Sequence, residues 1–450
     1  MLRPKKDYTL PKIIVLVVVI GGAGYAGLHL ARGFKNTYFG QMAQVGAHED
    51  LAKAQDLCAP DSTPEDRAQA RALLESVAER GQDTPATFDA LTLLAHLHEQ
   101  EGKTAEAEDL LEHAYQQFPQ HPDHAKAAVA YARLLEQAGR TDQAAQVYLE
   151  VCDSAPPELR APAWTGLGRL AETAADPEAA AALCREALGA PAPGAAKSAP
   201  VFGPLIAREF YRRAVAEATW DSGEWGEALD ALGRVNVELA FSTAQTPESK
   251  RYTIKRGDSI TSIGNALNTT QGLLMRANGL DANSTLTVNR QIKYTPKDFR
   301  IVIERSKCRL FLIDRDGLFK RYPVGLGQPG HETNLGAFKI GNKQKDPTWY
   351  KPSEGPIPPG DPRNELGTRW MPLVPVQEGL PEDLGIHGTI SPETIGKHSS
   401  RGCARLLPED VEELYDLVVR STPVDIVERF TWKRSANTKR TDAAPPAQTQ

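Results

Sequence analysis

The sequence predicts a multidomain α+β protein in which an N-terminal membrane helix, an α-helical region, a small βααβ unit and a mostly-β domain follow one another. Three observations support this prediction: a 19-residue apolar segment near the start, a residue pattern that recurs after 37 positions, and alternating apolar runs in the last third. At 450 residues the chain exceeds the size of a single core. Its net charge of -6 argues against nucleic acid as a partner.

The segment 13–31 has the length and composition of a membrane-spanning helix. It contains no Asp, Glu, Lys or Arg and consists mainly of Ile, Val, Leu and Gly. Residues 1–12 are more basic than the residues that follow the segment, so they form the predicted cytoplasmic stub. We therefore expect a single-pass inner-membrane protein with the bulk of the chain in the periplasm or cell envelope. A cleaved signal peptide is the alternative, because Gly24 and Ala26 are small enough for a processing site.

The five cysteines have neither the spacing of a zinc site nor that of a disulfide framework. The sequence leaves open whether Cys152 and Cys184 form a pair. An odd number of cysteines in an exported protein leaves at least one thiol free. That free thiol is a candidate for chemistry.

Residues 50–240 have helical periodicity, interrupted at Gly or Pro. Four positions recur 37 residues later: Ala95, Gly102, Ala107 and Pro119 recur as Ala132, Gly139, Ala144 and Pro156. The Gly-x-x-x-x-Ala step returns at Gly223 and Ala228. Small residues let paired helices approach closely, and glycine lets the chain turn between them. The region resembles a degenerate tetratricopeptide solenoid, which implies either a concave surface for a protein partner or a spacer.

Segment 251–296 has the predicted order strand, helix, helix, strand. It opens with Tyr-Thr-x-Lys-x-Gly-Asp-Ser from Tyr252, contains Asn278 and ends with Tyr-x-Pro. These motifs resemble a LysM domain, which implies binding of N-acetylglucosamine-containing glycans, and peptidoglycan glycan strands above all. The pair Asn289-Arg290 departs from the glycine that is commoner in the family before the last strand.

Residues 299–430 change to alternating apolar runs with many turns, the pattern of a mostly-β sandwich or barrel-like domain. One helix is predicted from Pro408 to Arg420, and its apolar residues fall on one face, as expected for core packing. The polar residues 431–450, rich in Ala and Pro at their end, are predicted to be a disordered tail.

The segment 385–406, GIHGTISPETIGKHSSRGCARL, carries the candidate chemistry. A thiol is a strong nucleophile only as the thiolate, so Cys403 requires a base or a positive neighbour, and His387 is the candidate base. The Gly-, Pro- and Ser-rich loop between them allows the two side chains to meet. Gly402 permits a tight turn whose N–H groups are expected to face a developing oxyanion. Arg405 offers a cation for a substrate carboxylate.

The motifs His-Gly-Thr, Ile-Gly and Ser-x-Gly-Cys-x-Arg within 385–406, with the upstream segments 335–340 and 364–367, resemble the YkuD family of L,D-transpeptidases. The resemblance covers residues 299–430. It implies that Cys403 is the nucleophile and His387 the proton donor and acceptor. It also implies substrate-binding positions, which are Gly388, Ser400, Arg401, Gly402 and Arg405.

Arg401 departs from the family pattern, which more often has a second histidine before the Gly-Cys pair. We expect a guanidinium at this position to lower the pKa of Cys403 by its charge alone. The other histidines of the domain, His331 and His398, are predicted to be exposed or structural.

The resemblance implies an enzyme of cell-wall cross-linking or attachment, and of cell shape. Its cysteine attacks a tetrapeptide stem after the third residue, releases the terminal D-alanine and forms a thioester that an amine of a neighbouring stem resolves, without a metal or organic cofactor. One alternative is an L,D-carboxypeptidase or cross-link hydrolase with the same nucleophile. A second alternative is a non-catalytic peptidoglycan-binding scaffold. The sequence specifies neither the acceptor nor the third residue of the stem.

Overall fold

The computed structural model describes residues 46–432, except for residues 60, 81–83, 175, 190–201, 316 and 352–353. The predicted cytoplasmic stub, the predicted membrane segment 13–31 and all but the first two residues of the predicted tail lie outside the described residues. In the part that is described, no helix combines the length and the apolar composition that a membrane crossing requires. The chain divides into two compact units, Met1–Ala144 and Ala145–Gln450.

Helices follow one another from residue 46 to residue 241 wherever the chain is described. After a helical run over 46–57, they are α1 (Pro64–Arg80), α2 (Pro85–Gln100), α3 (Thr104–Gln117), α4 (His124–Gln137), α5 (Thr141–Ser154), α6 (Pro157–Thr173), α7 (Pro177–Leu188), α8 (Phe202–Glu217) and α9 (Gly223–Phe241). Several of them begin with a side-chain cap: Thr84 accepts a hydrogen bond from the first turn of α2, Asp176 from that of α7 and Ser222 from that of α9. The predicted helical region is confirmed.

The 37-residue repeat has the structural basis that the sequence predicted. Gly102 and Gly139 both have positive φ, at 74° and 76°, and each lies between two helices. The repeated alanines are all buried, namely Ala95, Ala107, Ala132 and Ala144. The third occurrence differs, because Gly223 is the first residue of α9 and the positive φ, 67°, falls on Asp221.

The small unit has the predicted βααβ order. Its elements are β1 (Lys250–Thr253), α10 (Ile260–Ala266), α11 (Gln271–Arg276) and β2 (Gln291–Tyr294), with β1 antiparallel to β2. The Asn278 amide donates to the carbonyls of Leu274 and Lys293, both at 2.8 Å, and its Oδ1 accepts from the Lys293 N–H at 2.7 Å. These bonds join the second helix to the last strand. Asn289 has a φ of 69°, so it occupies the conformation for which the family commonly uses glycine.

The C-terminal domain is mostly β, as predicted. Its strands are β3 (Arg300–Glu304), β4 (Arg309–Asp314), β5 (Gly317–Pro323), β6 (Leu326–Gly327), β7 (Gly336–Ile340), β8 (Gln344–Lys345), β9 (Trp349–Lys351), β10 (Gly355–Ile357), β11 (Arg369–Pro375), β12 (Gly385–His387), β13 (His398–Ser400), β14 (Ala404–Arg405) and β15 (Pro423–Val427). The main sheet has the order β14-β12-β11-β7-β15-β3-β4-β5, and the short strand β8 pairs with β11.

The two edges of this sheet meet at one end. The chain leaving β5 pairs with β14, where Gly325 donates to the Arg405 carbonyl at 2.9 Å and accepts from the Arg405 N–H at 2.8 Å. The sheet is therefore closed like a barrel at this end. The helix α12 (Pro408–Leu417) buries its apolar residues Val411, Leu414 and Leu417 in the core of the domain, as predicted.

The last helix of the helical region packs on β5 of the C-terminal domain. Arg321 binds both carboxylate oxygens of Asp230, at 2.6 and 2.7 Å, and the Asn236 amide donates to the Phe319 carbonyl at 2.9 Å. Gly226 and Gly233 of α9 face the side chains of Arg321 and Lys320 at close range. This end of the helical region is thus part of the same compact unit as the C-terminal domain.

Replacing Gly233 with alanine tests this packing. A Cβ at that position would lie 2.7 Å from the Lys320 Cγ, so we expect the free energy of unfolding to fall by about 1–3 kcal/mol. Gly223→Ala, in the same helix, is the matched control, because nothing lies within 4 Å of its Cβ position. Urea denaturation should show no loss of stability for this control. Equal stability of the two variants would contradict the close contact between α9 and β5.

Candidate active site

Two neighbouring parallel strands bring Cys403 and His387 together. β12 pairs with β14 in the register Ile386 with Ala404 and His387 with Arg405. Cys403 directly precedes β14, so the same register places it beside Gly385, two residues before His387. Side chains two residues apart on a strand face the same side of the sheet. The predicted nucleophile and base therefore lie on one face of adjacent strands, although they are 16 positions apart in the sequence.

The turn before Cys403 depends on Gly402 and Ser400. Gly402 has a φ of 120°, a conformation that side-chain-bearing residues rarely adopt. The buried Ser400 hydroxyl accepts from the Gly402 N–H at 3.2 Å and donates to the Cys403 carbonyl at 2.7 Å. The predicted tight turn is present. The Gly402 N–H, however, is already bonded to Ser400, so the expectation that it faces an oxyanion was wrong for that amide.

His387 is held as a neutral imidazole. Its side chain is buried, with 4% of the residue exposed, and its Nδ1 lies 2.7 Å from the Gly388 carbonyl oxygen. Because a carbonyl only accepts, Nδ1 carries the proton and Nε2 keeps the lone pair that a base requires. Burial and the charge of Arg405 lower the pKa of His387 to about 4, against the opposing effect of the Gly388 and Glu365 carbonyls.

Cys403 is held as a neutral thiol. Burial raises its pKa to about 11, partly offset by the Gly385 backbone and by the charge of Arg405, while Asp383 acts in the same direction as burial. The thiol donates to the Asp383 carbonyl at 3.8 Å. The cation that lowers the pKa of this thiol is thus Arg405. Arg401 is exposed and is not among the groups that shift this pKa, so the effect expected of its charge stays a prediction.

Arg405 lies between the pair and an acidic partner that the sequence did not suggest. It forms an ion pair with Glu365 at 3.2 Å, and its buried Nε has no hydrogen-bond partner among the described residues. Its charge favours the thiolate of Cys403 and disfavours the imidazolium of His387. An unpartnered buried N–H is a donor that a substrate carboxylate or carbonyl would satisfy.

The loop that carries Glu365 is fixed by Asn364. This buried amide donates to the Pro347 carbonyl at 2.9 Å and the Pro358 carbonyl at 3.2 Å, and its Oδ1 accepts from the Leu366 N–H at 3.1 Å. The motif 364–367 contributes to the family resemblance in the sequence, but the motif alone does not specify what its side chains do. That motif is the signal from which the positioning role of Asn364 and the ion pair of Glu365 could have been sought.

The remaining predicted site residue, Gly388, lies against this loop. A Cβ on Gly388 would lie 3.3 Å from the Leu366 carbonyl oxygen, so a side chain there would require its neighbours to move by a few tenths of an ångström. A cavity of about 310 Å³ borders Gly388 and Thr389 on one side and Asn364 and Gly367 on the other. It adjoins the His387 end of the site.

A second Cys–His pair involves His398, which lies in the segment between His387 and Cys403. The exposed His398 forms a hydrogen bond with the buried Cys308 thiol, and 3.4 Å separate Nε2 from Sγ. The other ring nitrogen of His398, Nδ1, lies 3.1 Å from the Gly327 carbonyl oxygen. No disulfide links Cys152 to Cys184 in the described structure. In the described part of the chain, no group of three His, Cys, Asp or Glu residues could hold a metal ion.

The raised pKa of Cys403 predicts how the reactivity of this thiol depends on pH. We expect its alkylation by iodoacetamide to accelerate about tenfold per pH unit from pH 7 to pH 10, since the thiolate fraction of a thiol with a pKa of about 11 grows in that proportion. Mass spectrometry of the labelled peptide gives the rate at Cys403 alone. A rate that is already constant at pH 7 would instead indicate a preformed thiolate–imidazolium pair.

Comparison with known proteins agrees with this geometry. The sequence profile of the YkuD L,D-transpeptidase catalytic domain matches residues 298–426, that of a tetratricopeptide repeat matches 86–156, and that of a LysM domain matches 252–294. A Bacillus licheniformis protein assigned to the L,D-transpeptidases is 32% identical over 181 residues, which are 39% of this chain and 97% of the relative. A Bacillus subtilis (strain 168) relative is 29% identical over 180 residues, with the same coverage.

A solved structure is also similar. The NMR structure of the catalytic domain from the E. faecium L,D-transpeptidase aligns over 97% of its chain and 29% of this chain, with 23% identity and a TM-score of 0.24. The chain belongs to the L,D-transpeptidase family. The two Bacillus relatives both carry the name YkuD, the type to which the matching catalytic domain belongs.

Proposed function

We propose that the protein is a peptidoglycan L,D-transpeptidase that acts on tetrapeptide stems through a thioester on Cys403. The observation that carries this proposal is the placement of Cys403 and His387 on one face of two adjacent parallel strands. The neutral state of both side chains also constrains when the proton is transferred in the reaction. A thiol with a pKa of about 11 and an imidazole with a pKa of about 4 do not exchange a proton at rest, so proton transfer accompanies attack on the substrate.

In the proposed reaction, the Cys403 sulfur forms a bond to the carbonyl carbon of the third stem residue, and its proton passes to Nε2 of His387. The bond to the terminal D-alanine then breaks, and the D-alanine nitrogen takes that proton from the imidazolium as it leaves. An amine of a second stem attacks the thioester in the same way and restores the thiol. Arg405, through its unpartnered Nε, is proposed to hold a carboxylate or carbonyl of the stem.

The test is incubation of the protein with purified disaccharide tetrapeptides, followed by mass spectrometry of the products. Dimers that have lost one D-alanine are the expected result. Monomers shortened by one residue would assign the chain to the hydrolytic alternative, in which water resolves the thioester. No change in the substrate would favour the peptidoglycan-binding scaffold.

We further propose that residues 13–31 anchor the protein in the inner membrane, with the helical, LysM and catalytic parts in the periplasm. The LysM part would then hold glycan strands, and the tetratricopeptide part would contact a protein partner. The 19-residue uncharged segment supports the anchor. Membrane fractionation of the full chain and of a variant lacking residues 2–31 tests it. Recovery of both forms in the soluble fraction would contradict the anchor.

A further inference from the structure

A large cavity lies away from the catalytic pair. Its volume is about 690 Å³, within the range of small-molecule sites, and it is bounded by α8 and α9, the chain on either side of the LysM domain, and the β4–β5 hairpin. The strand β5 gives the distance between the cavity and the catalytic site. Gly317, the first residue of β5, lines the cavity, and Gly325, just beyond the last residue of β5, pairs with Arg405 of the catalytic site. The extended chain between them places the cavity on the order of 20 Å from that pairing.

Two ion pairs are built into the wall of the cavity. Arg208, 7% exposed, binds Glu248 at 2.5 and 3.4 Å. Burial opposes ionisation of Glu248, but the hydrogen bonds and charge of Arg208 lower its pKa to about 2. Lys297 binds Asp314 at 2.9 Å. Both pairs are largely removed from solvent, so the wall presents fixed charges of both signs.

The wall also contains cations in excess of these pairs. Lys250, Arg315 and Arg212 line the cavity and are exposed, and Arg212 is paired with Glu209 at 3.0 Å. The acidic residues described in the wall, Glu248 and Asp314, belong to the two ion pairs. Among the described residues, Lys250 and Arg315 have no ion-pair partner. The buried Arg208 Nε has no hydrogen-bond partner either. A ligand of this wall should therefore carry carboxylates in excess of ammonium groups.

Aromatic rings complete the wall. Trp220 and Trp432 are half-buried at the cavity, and Trp220 packs against Trp225 in a tilted arrangement with 4.5 Å between ring centroids. Half-exposed indoles bind ligands that have both an apolar face and polar groups, as sugar rings do. The chain's own segment 433–450 is a poor occupant, because it carries four basic residues and one acidic residue, the same sign as the excess charge of the cavity.

We propose that this cavity is a second binding site for a carboxylate-rich glycopeptide, a sugar with an attached short peptide that carries more carboxylates than amines. Mixed charges, spare cations and indole faces match the two parts of such a ligand. This inference rests on the proposed function, because a disaccharide tetrapeptide has this chemistry. The site would retain substrate or product next to the catalytic domain without contact with Cys403.

The test uses the full chain labelled with 5-fluorotryptophan, carrying Cys403→Ala to prevent turnover, in ¹⁹F NMR titrations. The Trp432 resonance is assigned by Trp432→Phe. We expect it to shift with saturation on addition of disaccharide tetrapeptide and not on addition of chitotetraose, a neutral sugar. Absence of the first shift, or an equal shift with chitotetraose, would overturn the proposal.

Two charge-reversal variants, one at a residue that lines the cavity and one at its neighbour outside the cavity, test whether the ligand binds in the cavity. Lys250→Glu should weaken the glycopeptide-dependent shift of Trp432 about tenfold, the loss of one charge-assisted contact. Arg251→Glu should leave it unchanged, because Arg251 is the next residue of β1, also exposed, and does not line the cavity. Equal weakening by both variants would mean that the overall charge of the protein, and not a contact in the cavity, explains the effect, and it would overturn the proposed site. A saturating shift in the titrated variant, together with a wild-type protein that proves inactive in the muropeptide assay, would leave the site standing and reject only the proposed function.

Discussion

Replacing Cys403 with alanine is expected to lower the rate of D-alanine release from disaccharide tetrapeptides by at least about 10³-fold. The reason is that no other nucleophile is positioned beside His387 on the face formed by β12 and β14 in the described chain. The side chain is small and the Ser400 bonds that fix the turn involve backbone atoms, so the fold should not change. Release of D-alanine, measured with a coupled oxidase assay, gives the rate.

Cys308→Ala is the matched control for this prediction. Cys308 also contacts a histidine, but it is buried and its pKa is raised by burial alone. We expect it to keep wild-type D-alanine release within a factor of about two, because surrounding packing absorbs the loss of one sulfur at modest cost. Retained activity in Cys403→Ala, or an equal loss in both variants, would contradict the assignment of the nucleophile.

The sequence predicted the elements of the fold better than their mutual contacts. The repeat glycines, the βααβ order and the core face of α12 follow from periodicity and backbone preference, which are local properties. The helix α12 ends at Leu417, short of the predicted Arg420. The packing of α9 on β5 could not be predicted, because Gly226 and Gly233 look like weak helix positions until the side chains that fill their space are known.

The candidate site shows the same difference between local features, which the sequence predicts, and contacts, which only the folded structure provides. The motif 385–406 contained both members of the pair, and the parallel register that joins them is a property of the folded sheet. The effects of charged groups on the pKa of Cys403 were the hardest to predict, because a charge acts through space and not along the chain. Arg401 and Arg405 both lie two residues from Cys403 along the chain, and it is Arg405 whose charge lowers the pKa of Cys403. Its partner Glu365 is 40 residues away in the sequence.

Replacing His387 with alanine should reduce D-alanine release at pH 7 by about 10²–10⁴-fold, the usual contribution of a positioned general base. The size of this defect should depend on pH. In wild type, His387 is neutral at every pH above about 4, so activity should persist down to mildly acidic pH and fall as pH drops through about 4, where the imidazole takes a proton. The variant lacks the base and depends on the free thiolate of Cys403.

Because the pKa of Cys403 is about 11, the thiolate becomes tenfold more abundant with each pH unit, and the defect of His387→Ala should shrink accordingly between pH 7 and pH 10. Rates of D-alanine release for both proteins across this range test the prediction. His398→Ala is the control, since its imidazole contacts Cys308 instead, and its rate should parallel wild type. A defect of His387→Ala that stays constant with pH would mean that the imidazole positions the substrate and does not remove the thiol proton.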